Sequence, residues 1–143
     1  MINDAQIIIR LVVSSILGGL VGFEREMHNR KIAGFRTHIL VCVGAALIML
    51  TSIYISEIYC NKMPADPARI AAGVITGIGF LGAGTIIRSG ATVTGLTTAA
   101  SLWTVSGIGL AVGCGFYMAG CITTIIVLAT LYILRRLSIE EKK

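Results

Sequence analysis

Two glutamates flank an arginine at Glu24-Arg25-Glu26, and paired carboxylates of this kind are candidate ligands for a divalent cation. Mg²⁺ is commonly held in proteins by one or two carboxylates while it keeps several of its waters. Residues two apart on a helix do not face each other, so these carboxylates do not share one helix face. The sequence therefore predicts either a Mg²⁺ contact at Glu24 and Glu26 or a cluster of ion pairs with Arg25, Arg30 or Arg36.

Two more polar groups border apolar segments and are candidate contacts for a ligand or partner. Arg36, Thr37 and His38 precede one apolar run, where Thr37 is suited to cap a helix and His38 titrates near neutral pH. Asp66 stands one turn before Arg69, and an acidic residue at this position is typical of a helix N-terminus. Asp66 is also a third candidate Mg²⁺ ligand, although capping is the simpler interpretation.

A hydroxyl-rich loop at residues 89–94 connects two apolar runs. Arg88 precedes this loop, and Thr97 and Thr98 follow it at the start of the next run. We expect the loop to fold back against the bundle and to contribute to a ligand or partner contact. Trp103, the single tryptophan of the chain, completes this group of candidate contact residues.

The segment 77–82 reads Gly-Ile-Gly-Phe-Leu-Gly, which matches the glycine pattern of dinucleotide-binding sites. That site also needs an acidic residue about 20 positions later to bind the ribose hydroxyls. The chain has no Asp or Glu between Asp66 and Glu140. The sequence therefore excludes a dinucleotide, and the glycines need another explanation.

Catalytic and cofactor-binding patterns are also missing from the sequence. The four cysteines form no C-x-x-C pair, and Cys60 is expected outside the membrane while the others lie in apolar runs. Neither of the two histidines belongs to a legible Ser/His/Asp or Cys/His arrangement. We predict a protein that is not an enzyme and has no cofactor, with Mg²⁺ as the one candidate ligand.

Composition places the chain in a lipid environment. Hydrophobic residues make up 55% and charged residues 13% of the 143 residues, whereas about 25% charged is ordinary for a soluble protein. The mean hydropathy is +0.87. Basic residues border apolar runs instead of alternating with aromatic residues, which argues against a nucleic-acid surface and for a membrane protein.

We predict an all-α fold in which a single domain over residues 1–143 forms a polytopic helix bundle. Each apolar run approaches the length needed to cross a hydrocarbon core of about 30 Å. The expected five transmembrane spans cover residues 6–23, 39–55, 69–87, 96–112 and 116–134.

The basic residues also predict an orientation for the five spans. Nine of the twelve Lys and Arg residues fall in the first loop, the third loop and the C-terminal tail. Positively charged loops are retained in the cytoplasm. We therefore expect an external N-terminus, a cytoplasmic C-terminus and residence in the bacterial inner membrane.

Small residues at helical spacing predict where helices approach closely, because helices in lipid associate through close packing and not through the hydrophobic effect. The third span carries two separate stripes of small residues, so we expect it at the centre of the bundle. The predicted packing glycines are Gly18, Gly22, Gly73, Gly77, Gly79, Gly82 and Gly84.

Several sequence blocks at matching spacing resemble the MgtC/SapB family of bacterial membrane proteins over about residues 5–134. The blocks are Gly18–Glu26, Gly34–Val41, Asp66 with Arg69–Gly73, Gly77–Gly84 and Val93–Trp103. The resemblance implies an inner-membrane protein linked to growth at low Mg²⁺ and, in pathogens, to virulence. It also implies regulation of other membrane machines, ATP synthase included. The longer members have a soluble C-terminal domain, which these 143 residues do not contain.

Two functions remain open from the sequence. The first is a regulatory or interaction protein tied to Mg²⁺ stress, acting on a membrane-protein partner. The second is a Mg²⁺ transporter or channel that works as a homo-oligomer, because a single chain of this size has little room for a pore. The first is favoured because no acidic residue lies inside the predicted spans, whereas cation pathways commonly carry one.

Overall fold

The computed structural model describes residues 2–27, 33–59 and 66–140, with side chains described up to Ile133. Arg30, Cys60 and Lys62 lie outside the described residues, as do the last three residues of the tail. Five helices and one short hairpin follow in chain order. They are α1 (Asp4–Met27), α2 (Phe35–Tyr59), α3 (Pro67–Gly84), β1 (Ile87–Ser89), β2 (Thr92–Thr94), α4 (Leu96–Gly113) and α5 (Tyr117–Glu140).

The predicted helical membrane bundle is confirmed. Helices α1 to α4 are each long and apolar enough to cross a membrane, and α5 carries a shorter apolar stretch over Tyr117–Ile133 among the described residues. Helices that alternate in direction place the C-terminus of α1 beside the N-termini of α2 and α4. We call this end of the bundle the Arg25 end, and the opposite end, where α3 begins, the Asp66 end.

Helices α2 and α4 form the centre of the bundle, so the prediction that the third span is central is wrong. Only 11% of the 18-residue apolar segment of α3 is buried inside the bundle, compared with 50% of that of α4. A Cβ added at Gly73, Gly77, Gly79 or Gly84 would meet no atom within 4 Å, while one at Gly82 would make ordinary contact with Ala99. Most of the small surface of α3 therefore faces outward.

Close helix approaches occur instead through glycines of α1 and α4 that face α2. A Cβ at Gly18 would lie 2.6 Å from Cys42 Cβ, and one at Gly22 would lie 2.8 Å from Phe35 Cα. On α4, a Cβ at Gly113 would lie 2.7 Å from the Ala46 carbonyl oxygen. The predicted roles of Gly18 and Gly22 in helix packing hold, because only glycine allows these backbones to approach so closely.

The loop after α3 is a two-stranded hairpin, which the all-α prediction did not include. Ile87, Arg88 and Ser89 pair antiparallel with Thr94, Val93 and Thr92. All six residues are exposed, so the expectation that this loop folds against the bundle is wrong. Gly95 ends the hairpin with φ +91°, where a Cβ would collide with the Thr85 carbonyl oxygen. The predicted third span is also too long, since α3 stops at Gly84.

Candidate functional site

A buried polar cluster joins three helices at the Arg25 end. Arg25 of α1 is 5% exposed, and its Nη2 donates to Thr98 Oγ1 of α4 at 2.7 Å. His38 of α2 is fully buried, with its Nε2 at 3.0 Å from Ser101 Oγ of α4. Buried polar groups are costly unless they are hydrogen-bonded, so these contacts allow a charged side chain to sit among packed helices.

Hydrogen bonds fix the orientation of the His38 ring. Its Nδ1 lies 2.8 Å from the Gly34 carbonyl oxygen, which accepts only, so Nδ1 carries a hydrogen. The Ser101 hydroxyl has one hydrogen and two acceptors in reach, namely His38 Nε2 and the Thr98 carbonyl oxygen at 2.8 Å. When His38 is neutral, its Nε2 accepts the hydrogen of the Ser101 hydroxyl. When His38 is protonated, its Nε2 donates to Ser101 Oγ, and the Ser101 hydroxyl donates to the Thr98 carbonyl oxygen.

Glu26 places the first turn of α2 beside this cluster. Its Oε2 accepts a hydrogen bond from the Phe35 backbone N–H at 2.8 Å. The carboxylate therefore satisfies one of the unpaired N–H groups at the start of α2 and complements the helix dipole. A Cβ at Gly34 would lie 2.8 Å from the same Oε2, so the Glu26 side chain would have to shift if Gly34 were replaced. Glu26, and not the predicted Thr37, caps α2.

The cluster combines charges of both signs at its border. Glu26 supplies a carboxylate at the N-terminal end of α2, whereas the Arg25 guanidinium and the N-terminal end of α4 are positive. The N-cap of α4 is Gly95, which supplies no side-chain oxygen to offset that charge.

The predicted contact residues separate into three places. Arg25, His38 and Thr98 come together in the buried cluster, and Glu24 and Glu26 lie beside it at the end of α1. The side chains of Arg36, Thr37, Arg88, Thr97 and Trp103 are exposed. Asp66 and Arg69 are at the opposite end of the bundle, where Asp66 caps α3 as expected by accepting from the Ala68 N–H at 2.8 Å.

The candidate Mg²⁺ ligands do not converge. Glu26 belongs to the Arg25 end and Asp66 to the other, so these two carboxylates cannot hold one ion. Within the described parts of the chain, no group of three or more His, Cys, Asp or Glu side chains is placed to bind a metal. The described residues therefore contain no cluster of side chains that supports the metal site predicted from these carboxylates.

Two functional contacts were missed by the sequence reasoning. Ser101 lies three residues after Thr98, a spacing that puts both hydroxyls on one face of α4, and this spacing was available as a signal. Arg10 of α1 was not among the candidate residues, and its Nη1 donates to the Gly113 carbonyl oxygen at 2.8 Å. This bond places a cation at the C-terminus of α4, where the helix dipole favours it.

Comparisons with known proteins identify relatives over nearly the whole chain. The chain is 40% identical over 136 residues to YhiD of Escherichia coli K12, which covers 94% of this chain and 63% of YhiD. It is 44% identical over 128 residues to MgtC of Salmonella typhimurium LT2, covering 90% of this chain and 52% of that protein. MgtC of Brucella abortus strain 2308 is 42% identical over 122 residues, which is 85% of this chain and 48% of that protein.

The chain thus spans between about half and under two thirds of the length of these relatives. No solved structure matches it. The family model for the MgtC family matches residues 11–139. These residues include the buried cluster at the Arg25 end and the closely packed glycines Gly18 and Gly22 of α1. This chain belongs to the MgtC family.

Proposed function

We propose that this chain is a non-catalytic regulatory protein of the bacterial inner membrane that supports adaptation to low Mg²⁺ by acting on other membrane proteins. The observation that carries the proposal is the character of the buried polar cluster. Its charged member is the cation Arg25, and the Arg25–Thr98 and His38–Ser101 hydrogen bonds join helices α1, α2 and α4. A cation pathway through the bundle would place oxygen ligands there instead.

The carboxylates support the same proposal. Glu26 and Asp66 each accept a backbone N–H at 2.8 Å, so both act as helix caps. Each cap holds its carboxylate against a helix N-terminus, and the loss of such a cap costs about 1 kcal/mol. The two residues also stand at opposite ends of the bundle, so they do not share one ion.

Mg²⁺ transport by an oligomer is the alternative. The name given to YhiD proposes magnesium transport for that protein, and YhiD is 40% identical to this chain. Under this alternative, Glu24, Glu26 and Asp66 supply the polar contacts, and further copies of the chain complete the pathway. The relatives are longer than this chain, so an activity of theirs that needs their additional residues does not transfer.

Reconstitution separates the two functions. Purified protein is placed in liposomes in both orientations, and Mg²⁺ flux is measured for wild type, for Glu24→Ala and for Asp4→Ala as a control at the other end of α1. The same variants are tested for growth at limiting Mg²⁺. The regulatory proposal expects growth to depend on the protein while flux stays at the level of empty vesicles.

Flux above empty vesicles that Glu24→Ala lowers and Asp4→Ala does not would replace the regulatory proposal with transport. Unchanged growth at limiting Mg²⁺ after deletion of the protein would remove the link to Mg²⁺ altogether. Purification in mild detergent from cells grown at limiting Mg²⁺ then identifies the membrane protein on which the chain acts.

A further inference from the structure

An apolar groove of about 660 Å³ lies between α2 and α3 and is open to the side of the bundle. Its walls include Leu40, Gly44 and Ile48 from α2 and Gly73, Gly77 and Leu81 from α3. The groove exists because glycines stand where side chains would fill it. A Cβ at Gly44, Gly73 or Gly77 would meet no atom within 4 Å.

A hydrogen bond joins the two helices at one end of this groove. At the Asp66 end, the Ser52 hydroxyl donates to the Pro67 carbonyl oxygen at 2.5 Å. The floor is closed by α4 at Ser106, which is fully buried and whose hydroxyl donates to the Trp103 carbonyl oxygen at 2.7 Å. The groove therefore offers hydrocarbon surface to the bilayer and presents no free hydroxyl at its floor.

A positive charge stands above the groove at the Arg25 end. Arg36, Leu40, Gly44 and Ile48 are spaced by four residues, so they form one stripe along α2. Arg36 is exposed on the first turn of α2, one turn beyond the Leu40 wall. Because α3 runs antiparallel to α2, Arg88 after α3 adds a second cation to the same end of the bundle.

We infer that this groove binds an anionic phospholipid, with an acyl chain between α2 and α3 and the phosphate at Arg36. The apolar walls and the cation above them match an amphiphile with a negative head. Leu40 and Ile48 are separated by a rise of about 12 Å along α2, so the groove is long enough to hold part of an extended acyl chain.

Native mass spectrometry of the purified protein tests the inference. Phosphatidylglycerol and phosphatidylcholine with identical chains are added in competition, and wild type is expected to retain more phosphatidylglycerol. Arg36→Gln should lower this preference about five-fold, since one basic residue near an anionic surface is worth about 1 kcal/mol. Arg69→Gln is the matched control, because Arg69 is also exposed but begins α3 at the Asp66 end.

A second pair of variants tests the chain-binding part of the groove. Gly77→Leu fills open space in the groove and should reduce retention of both lipids, whereas Gly79→Leu fills open space on α3 outside the groove walls and should not. A Cβ added at either position meets no atom within 4 Å, so neither variant is expected to lose helical content or thermal stability. These measurements do not depend on Mg²⁺ or on a partner protein.

Three results would overturn the inference. The first is equal retention of the two phospholipids by wild type. The second is an effect of Arg36→Gln no larger than that of Arg69→Gln. The third is unchanged lipid retention by Gly77→Leu together with loss of a dimer in the mass spectrum, which would assign the groove to a helix of a second copy.

Discussion

Replacement of Thr98 by valine tests the buried cluster most directly. Valine keeps the shape of threonine but removes the oxygen that accepts the 2.7 Å hydrogen bond from Arg25 Nη2. A hydrogen bond to a charged group contributes about 1.5–3 kcal/mol, whereas side-chain hydrogen bonds between membrane helices average about 0.6 kcal/mol. The donor is a guanidinium and Thr98 is 3% exposed, so we expect a loss near 2 kcal/mol.

The neighbouring residue supplies the control for this prediction. Thr97 is exposed on the same turn of α4, so Thr97→Val makes the same chemical change without breaking a buried bond. We expect Thr97→Val to alter the free energy of unfolding by no more than about 0.5 kcal/mol. Thr98→Ser retains the hydroxyl and should recover most of the loss. The measurement is reversible unfolding of the purified protein in mixed micelles.

Equal free energies of unfolding for Thr98→Val and Thr97→Val would refute the reasoning. That outcome would mean that Arg25 finds another acceptor at no cost and that Thr98 does not hold α1 against α4. A double variant with Arg25→Met refines the test. If the bond is real, the two changes are not additive, and the second costs less once the first is made.

Five further substitutions, at four positions, have expected outcomes in the same unfolding measurement. Gly109→Ala should destabilise by about 1–3 kcal/mol because its Cβ would collide with the Cys42 carbonyl oxygen, whereas Gly107→Ala has open space and should stabilise by about 0.5–1 kcal/mol. A stable Gly109→Ala variant would contradict the close packing of α4 on α2. Glu26→Ala should cost about 0.5–2 kcal/mol by removing the cap of α2, and Glu26→Gln, which keeps an acceptor oxygen, should cost less; equal losses would show that the charge and not the bond matters. Gly95→Ala should lower the free energy of unfolding by at least about 1 kcal/mol because φ is +91° and because the added Cβ would collide with Thr85. An unchanged free energy of unfolding would contradict this.

The helices were predictable because lipid leaves few alternatives for an apolar chain of this kind. Charged and hydroxyl residues marked the helix ends well, as Asp66 shows at the start of α3. The position of α3 in the bundle was not predictable, because a stripe of small residues shows where a helix can be approached and not what approaches it. Gly18 and Gly77 look alike in sequence, yet one meets Cys42 and the other meets no atom of the chain within 4 Å.

The cluster was predicted in parts but not as a unit. Arg25, His38 and Thr98 were each selected because they border apolar runs. Their meeting depends on the position of α4 between α1 and α2, which no local pattern encodes. Ser101 was missed because a serine inside an apolar helix commonly bonds its own backbone, as Ser101 also does with the Thr98 carbonyl oxygen.

Helix α3 is held by contacts at both of its ends and borders the open groove along one side. The Ser52 bond to Pro67 holds its start, and the tight junction of Gly95 with Thr85 holds its end. A helix that is held at both ends bends at its middle and does not rotate about one end. Displacement of α3 is therefore expected to be largest near Val74 and Gly77, so the groove beside it can widen or narrow while the loops stay in place.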